Sequence, residues 1–96
     1  MYTDLDPLLH SQLRLAIISL LLANEKAEFI YLKEETSATA GNISIQIKKL
    51  QEAGYIKVEK SFKNNYPNTM LSITSKGVKA FETYVNNLKK YINHNK

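Results

Sequence analysis

A chain of 96 residues has room for one domain around one modest core, and 44% hydrophobic with 23% charged residues is a folding globular composition, far from disordered ones. It has no cysteine, which excludes a disulfide framework, a thiolate metal site and a catalytic thiol, and fits a reducing compartment, the cytoplasm. The net charge of +4 is unevenly spread: residues 1–38 carry three cations against six acids, whereas residues 39–96 carry ten lysines against Glu52, Glu59 and Glu82, a field that attracts a polyanion.

Asp4 and Asp6 precede the first apolar run, so the cationic start of a secretion signal is missing, and no run reaches the ~20 apolar residues that span a bilayer. Neither export nor a membrane partner is expected. Asp6 followed by Pro7 predicts an N-cap with proline at the first helical position, and Leu9, Leu13, Ile17, Leu20 and Leu21 continue it as a helix over about 7–24. Leu8, Leu15, Ala16, Ile18 and Leu22 widen its apolar stripe, so the helix is either a central core element or one whose second face meets another subunit.

After a break at Asn24–Lys26, Phe29-Ile30 fits a very short strand and Tyr31–Ser37 a short helix. The run Ser37–Asn42, rich in small polar residues, predicts a turn, with the Thr39 hydroxyl capping the next helix. That helix, about 40–53, has Ile43, Ile47, Leu50 and Gly54 within roughly 60° of one another as a core face. Gly41, Ile45, Lys48, Lys49 and Glu52 fall opposite, Asn42 and Ser44 flank them, and Gln46 leans toward the core edge. Gly54 suits a left-handed helix end.

The alternation Tyr55-Ile56-Lys57-Val58-Glu59-Lys60 predicts a half-buried strand and Met70–Thr74 a second, joined through a long polar tip over Ser61–Thr69. Thr74 or Ser75 caps a last helix, about 75–93, on which Val78, Phe81, Val85, Leu88 and Ile92 form a stripe with Tyr84 and Tyr91 beside it. So much apolar surface exceeds what the rest of the chain can cover.

Helix, short helix, turn, capped helix, hairpin and helix in that order is the layout of a winged helix-turn-helix, mainly α with a small β-hairpin (α+β). The runs Leu5-Asp6-Pro7-Leu8, Tyr31–Thr36, Thr39–Ser44, Leu50–Ile56, Lys60–Lys63 and Leu71–Phe81 together resemble a MarR-like family of single winged-helix transcriptional regulators, over about residues 5–90. The resemblance implies a cytoplasmic prokaryotic regulator that binds operator DNA as a two-fold homodimer, with the first and last helices at the dimer interface. In two places the sequence departs from the family: the wing tip Asn64-Asn65-Tyr66-Pro67-Asn68 has only Lys60 and Lys63 nearby instead of arginines, and Thr74-Ser75 stands where a proline is frequent.

On this reading the double-stranded DNA contacts are Thr39, Gly41, Asn42, Ser44, Ile45, Lys48, Lys49, Lys60 and Lys63. Asn42 and Gln46 offer amides to adenine, Ile45 can touch a thymine methyl, and the lysines hold phosphates. Leu8, Leu15, Tyr84, Leu88, Tyr91 and Ile92 supply the dimer interface. An enzyme is not expected: there is no Gly-rich phosphate loop or nucleophile motif, and the only neutral-pH bases, His10 and His94, sit near opposite ends of the chain without acids or thiols to complete a metal site. No cofactor is implied. A cleft between the first helix, the last helix and the motif leaves room for an apolar small-molecule effector that the sequence does not identify. The competing reading is a winged helix used as a protein-interaction module without specific DNA binding.

Overall fold

Apolar residues recurring every three or four positions give four helices, and a period of two gives the hairpin, in the computed structural model, which describes residue 2 and residues 4–92. The elements are α1 (Gln12–Asn24), β1 (Lys26–Glu28), α2 (Phe29–Thr36), α3 (Ala40–Glu52), β2 (Ile56–Lys63), β3 (Tyr66–Ile73) and α4 (Ser75–Ile92). His94 lies outside the described residues. The strands form one antiparallel sheet in the order β1-β3-β2.

α1 is the central element and touches α2, α3, α4, β1 and β3. Its Ile17, Ile18 and Leu21 are fully buried with Leu9, Leu32, Ile43, Leu50 and Leu71. At about 1.5–3 kcal/mol for each such side chain removed from water, this cluster is the main source of cohesion. Among the described residues no helix is long and apolar enough to cross a membrane.

Three expectations about the elements are corrected. The first helix starts at Gln12 and not at residue 7. Asp6 does cap, its Oδ1 accepting from the Leu8 N–H at 2.9 Å and its carbonyl from the His10 N–H at 2.9 Å, but it caps a single turn. Ser11 is then extended (φ −153°, ψ 127°) and redirects the chain. Tertiary hydrogen bonds hold this detached turn: the Tyr55 hydroxyl donates to Asp6 Oδ2 at 2.5 Å, and Arg14 Nε donates to the Leu8 carbonyl at 2.6 Å.

Phe29-Ile30 is not a strand but the start of α2, and the strand is Lys26–Glu28 just before it. Those three residues, charged, apolar and charged, are too short a run for an alternation to be told from chance. They are extended because the free edge of β3 pairs them, Ala27 opposite Leu71. Nor is the wing tip a long loop. The strands pair out to Lys63 and Tyr66, leaving only Asn64 and Asn65, both left-handed (φ 53° and 68°), as the primed two-residue turn that matches strand twist. Asparagine tolerates that conformation better than other residues with a Cβ.

The sheet, α3 and α4 meet at one junction. α3 ends in a Schellman motif, the Tyr55 N–H donating to the Leu50 carbonyl at 3.0 Å and the Gly54 N–H to that of Gln51 at 2.9 Å, with Gly54 at φ 82°. Thr74 binds this helix end twice: its hydroxyl donates to the Gly54 carbonyl at 2.6 Å and its N–H to the Tyr55 carbonyl at 3.0 Å. The same hydroxyl accepts from the Gly77 N–H at 3.0 Å and so caps α4. Gly77 is buried against Tyr55, where a Cβ would lie 2.3 Å from the carbonyl oxygen.

Gly77→Ala cannot be accommodated at this junction without moving backbone, and we expect a loss of about 1–3 kcal/mol, read as a fall in Tm of at least ~4 °C at fixed protein concentration, despite alanine's better helix propensity. The Tyr55 phenol is pushed up to about 12, first by burial, then by donating to Asp6 and by the charge of that carboxylate. Because the folded value lies above the unfolded one, near 10, the stabilisation is fully present below about pH 10 and is lost as pH rises through about 12. Denaturant unfolding of wild type and Tyr55→Phe should therefore show a stability gap that narrows between about pH 9 and pH 11.5; a constant gap would contradict it.

Candidate nucleic-acid interface

α3 is shaped at both ends before any partner arrives. The Thr39 hydroxyl accepts from the Asn42 N–H at 3.1 Å, the cap expected from the sequence, and the Schellman motif closes the other end. Ile43, Ile47 and Leu50 are buried, so the helix cannot rotate about its axis without exposing them. That fixes what faces outward: Gly41, Asn42, Ser44, Ile45, Lys48 and Lys49 are all exposed, Ile45 at 56%. Thirteen residues make a rod about 20 Å long, with no acid among them before the final Glu52. A Cβ on Gly41 would meet nothing within 4 Å, so this end of the helix is open to close approach.

The hairpin stands beside this face. Period-two alternation puts Ile56, Val58, Lys60 and Phe62 with their partners Ile73, Leu71, Thr69 and Pro67 on one side of the sheet. Ser44, Lys48 and Gln51 of α3 line one cleft with Val58, Lys60 and Thr69 of that side. Two of the sequence-derived lysines, Lys48 and Lys60, thus converge on one cleft. Lys63 does not join them: it pairs with Tyr66 on the other side of the sheet, at the tip.

Two groups of residues here are not evident from sequence patterns alone. Phe62 and Tyr66 stand 78% and 74% exposed at the tip, on opposite sides of the sheet, within a stretch whose composition predicts a polar loop. The signal for Phe62 is its even spacing from Ile56 and Val58 along β2; Tyr66, the first residue of β3, has none. Arg14 contributes only a charge to the sequence pattern, yet its Nη1 donates to Gln46 Oε1, and Gln46 Nε2 donates to Asn42 Oδ1 at 3.0 Å. Gln46 is half-buried at the core edge, in keeping with its helical angle, and both ends of its amide are engaged. It is therefore not the free adenine-reading group that its residue type suggests.

Of the residues expected to meet a second subunit, Tyr84 is corrected. It is only 4% exposed within the single chain, and its hydroxyl lies 3.0 Å from Nδ1 of His10 on the detached N-terminal turn. Helical spacing places Tyr84 near the stripe but cannot show that residues 4–10 fold back over it. Leu8, Leu15 and Leu88 are half-buried against the core, and Tyr91 and Ile92 are exposed. The Tyr2 ring lies 4.7 Å from that of Tyr91.

A capped, outward-facing third helix beside a paired hairpin is the arrangement on which winged-helix proteins dock DNA. Residues 13–92 match the winged helix DNA-binding domain family. The chain belongs to that family. An uncharacterized protein of Methanocaldococcus jannaschii is 40% identical to this winged-helix domain over 76 residues, 79% of this chain and 83% of the other. The transcriptional regulator homologue protein from Pyrococcus horikoshii OT3 superposes with a TM-score of 0.84 at 29% identity, across 91% of this chain and 86% of that one. A mutant MarR from E. coli complexed with operator DNA has a TM-score of 0.70 at 15% identity, across 88% of this chain and 59% of that one. At that identity the fold alone is shared, a winged helix-turn-helix.

Proposed function

We propose that this winged-helix domain is a sequence-specific transcriptional regulator that binds operator DNA as a homodimer. One observation carries the reading: Ser44, Lys48 and Lys60, from two different elements, line one cleft beside an α3 face free of acids before Glu52. The major groove, about 12 Å wide, accepts one helix, and α3 offers it Asn42, Ser44 and Ile45 for base edges with Lys48, Lys49 and Lys60 for phosphates. Beside Thr39, whose hydroxyl holds the Asn42 N–H, the Ala40 and Gly41 N–H groups at the start of α3 are approachable by a phosphate. Lys63, at the tip and on the far side of the sheet, takes a phosphate beyond the groove.

Homodimerisation is the second half of the reading. Tyr91 and Ile92, the latter 66% exposed, and Leu8, Leu15 and Leu88, which the core leaves half-buried, are the apolar surface that a two-fold contact covers while doubling the DNA contacts. The MarR structure with operator DNA supports the comparison, since its fold is the same.

The test is fluorescence anisotropy against the chain's own upstream duplex and a scrambled one at two salt concentrations. Preference for the upstream duplex, with steep weakening at higher salt, is expected. Lys48→Ala/Lys49→Ala should weaken binding to both duplexes and reduce the log–log salt slope by about 0.9 for each phosphate no longer neutralised, approaching 4 units for two lysines in each of two protomers. An unchanged slope would remove α3 from the groove. Equal, feeble binding to both duplexes would favour the protein-interaction module, for which the exposed Phe62 and Tyr66 are the natural contacts.

Sedimentation at tens of micromolar tests the dimer independently. The wild type is expected to run as a dimer and Ile92→Glu as a monomer with unchanged helicity; a monomeric wild type would refute the interface.

A further inference from the structure

A chain of hydrogen bonds runs from α1 to the outward face of α3. The Arg14 guanidinium is pinned at one end, where Nε donates to the Leu8 carbonyl at 2.6 Å, and its Nη1 donates to Gln46 Oε1. Gln46 Nε2 in turn donates to Asn42 Oδ1 at 3.0 Å, and Asn42 stands exposed in the first turn of α3.

Arginine has only donors, whereas an amide has a donor end and an acceptor end. The guanidinium therefore accepts only one orientation of Gln46, carbonyl inward, since the reverse would set N–H against N–H. With its carbonyl inward, Gln46 must present its NH2 to Asn42, which turns the Asn42 carbonyl toward Gln46. The polarity set at Arg14 emerges at the surface as the Asn42 amide NH2.

We propose that Arg14 is a positioning residue that sets the base preference of Asn42: through Gln46 it makes Asn42 a donor toward DNA, selecting a base edge that presents acceptors. In the major groove that edge is guanine, with N7 and O6, ahead of thymine with O4 alone. Cytosine, which presents only an amino group, is disfavoured, and adenine is second to guanine, because it offers N7 alone beside an amino group that the Asn42 carbonyl, turned away, cannot accept from. This rests on the DNA-binding reading above and narrows it: the two-point adenine contact expected of a free asparagine is replaced by an acceptor contact.

The experiment is selection of duplexes from a randomised pool by the full chain, wild type and variants, with helicity and Tm checked for each. Wild type is expected to select guanine at one position in each half-site. Arg14→Lys, still donor-only, should keep that preference. Arg14→Glu puts an acceptor at the inner end and should reverse both amides, moving the preference at that position alone to adenine or cytosine by at least ~10-fold, within the range that one base contact discriminates. Should Arg14→Glu fail to fold, Asn42→Asp serves instead: it still accepts from Gln46 Nε2 but turns an acceptor outward, and the same shift is expected.

A wild type that selects sequences while either folded variant, Arg14→Glu or Asn42→Asp, keeps its base preference would overturn the relay and leave the regulator reading intact. A wild type that selects no sequence would overturn both. Loss of preference in Arg14→Lys equal to that in Arg14→Glu would also overturn the proposal, because it would mean that packing, and not donor polarity, is what Arg14 supplies.

Discussion

The geometry of this domain depends on the Thr74 hydroxyl. It donates to the Gly54 carbonyl that closes α3, accepts the Gly77 N–H in the first turn of α4, and belongs to the residue that follows β3. A hydroxyl serves as donor and acceptor at once, so one side chain ties three elements that sequence separates by about twenty residues. Gly77 completes the junction by letting α4 lie directly on the Tyr55 carbonyl. Were that approach widened, α4 would leave the sheet at a different angle, and the patch at its far end would move relative to the face of α3. In the two-fold dimer proposed above, that angle would set the distance between the two α3 helices, and hence which spacing of half-sites the pair could bind.

The detached N-terminal turn is also held by hydrogen bonds, to three separate places in the fold. Tyr55 donates to Asp6, Arg14 to the Leu8 carbonyl, and Tyr84 meets His10. All three partners lie far away in the chain or on the next element, which explains why a segment with a sound helix start, Asp6-Pro7, does not run on into α1. Local propensity amounts to a few tenths of a kcal/mol per residue. Three tertiary hydrogen bonds and the burial of Leu9 outweigh it. The same turn covers Tyr84 and so removes from the outer surface an aromatic that helical spacing alone would leave there.

The wing combines two chemistries. Its base is an ordinary half-buried sheet with apolar residues toward α3, and its shaft carries Lys60 into the cleft shared with Lys48. Its tip carries Phe62 and Tyr66 on a two-residue turn whose left-handed asparagines leave little slack. A tip of this kind reaches a partner as a preformed arm, with less ordering entropy to lose than the long loop its polar composition suggests.

The number, order and kind of helices are legible in the sequence, as are the Thr39 cap, the Gly54 stop and the core face Ile43, Ile47 and Leu50, because each is a local pattern with a period or a cap chemistry of its own. The exposed face of α3 follows as the complement of that core face. The sequence could not show β1, which is extended only because β3 offers an edge, nor the shortness of the wing turn, which strand pairing decides against a run of polar residues. It could not show that Tyr84 is covered, or that Arg14, Gln46 and Asn42 form one line of hydrogen bonds, since these join residues up to 74 positions apart. Sequence periodicity determined which side of each element is apolar; only tertiary structure decided which polar atoms meet, because a hydrogen bond depends on distances and directions that no spacing along the chain contains.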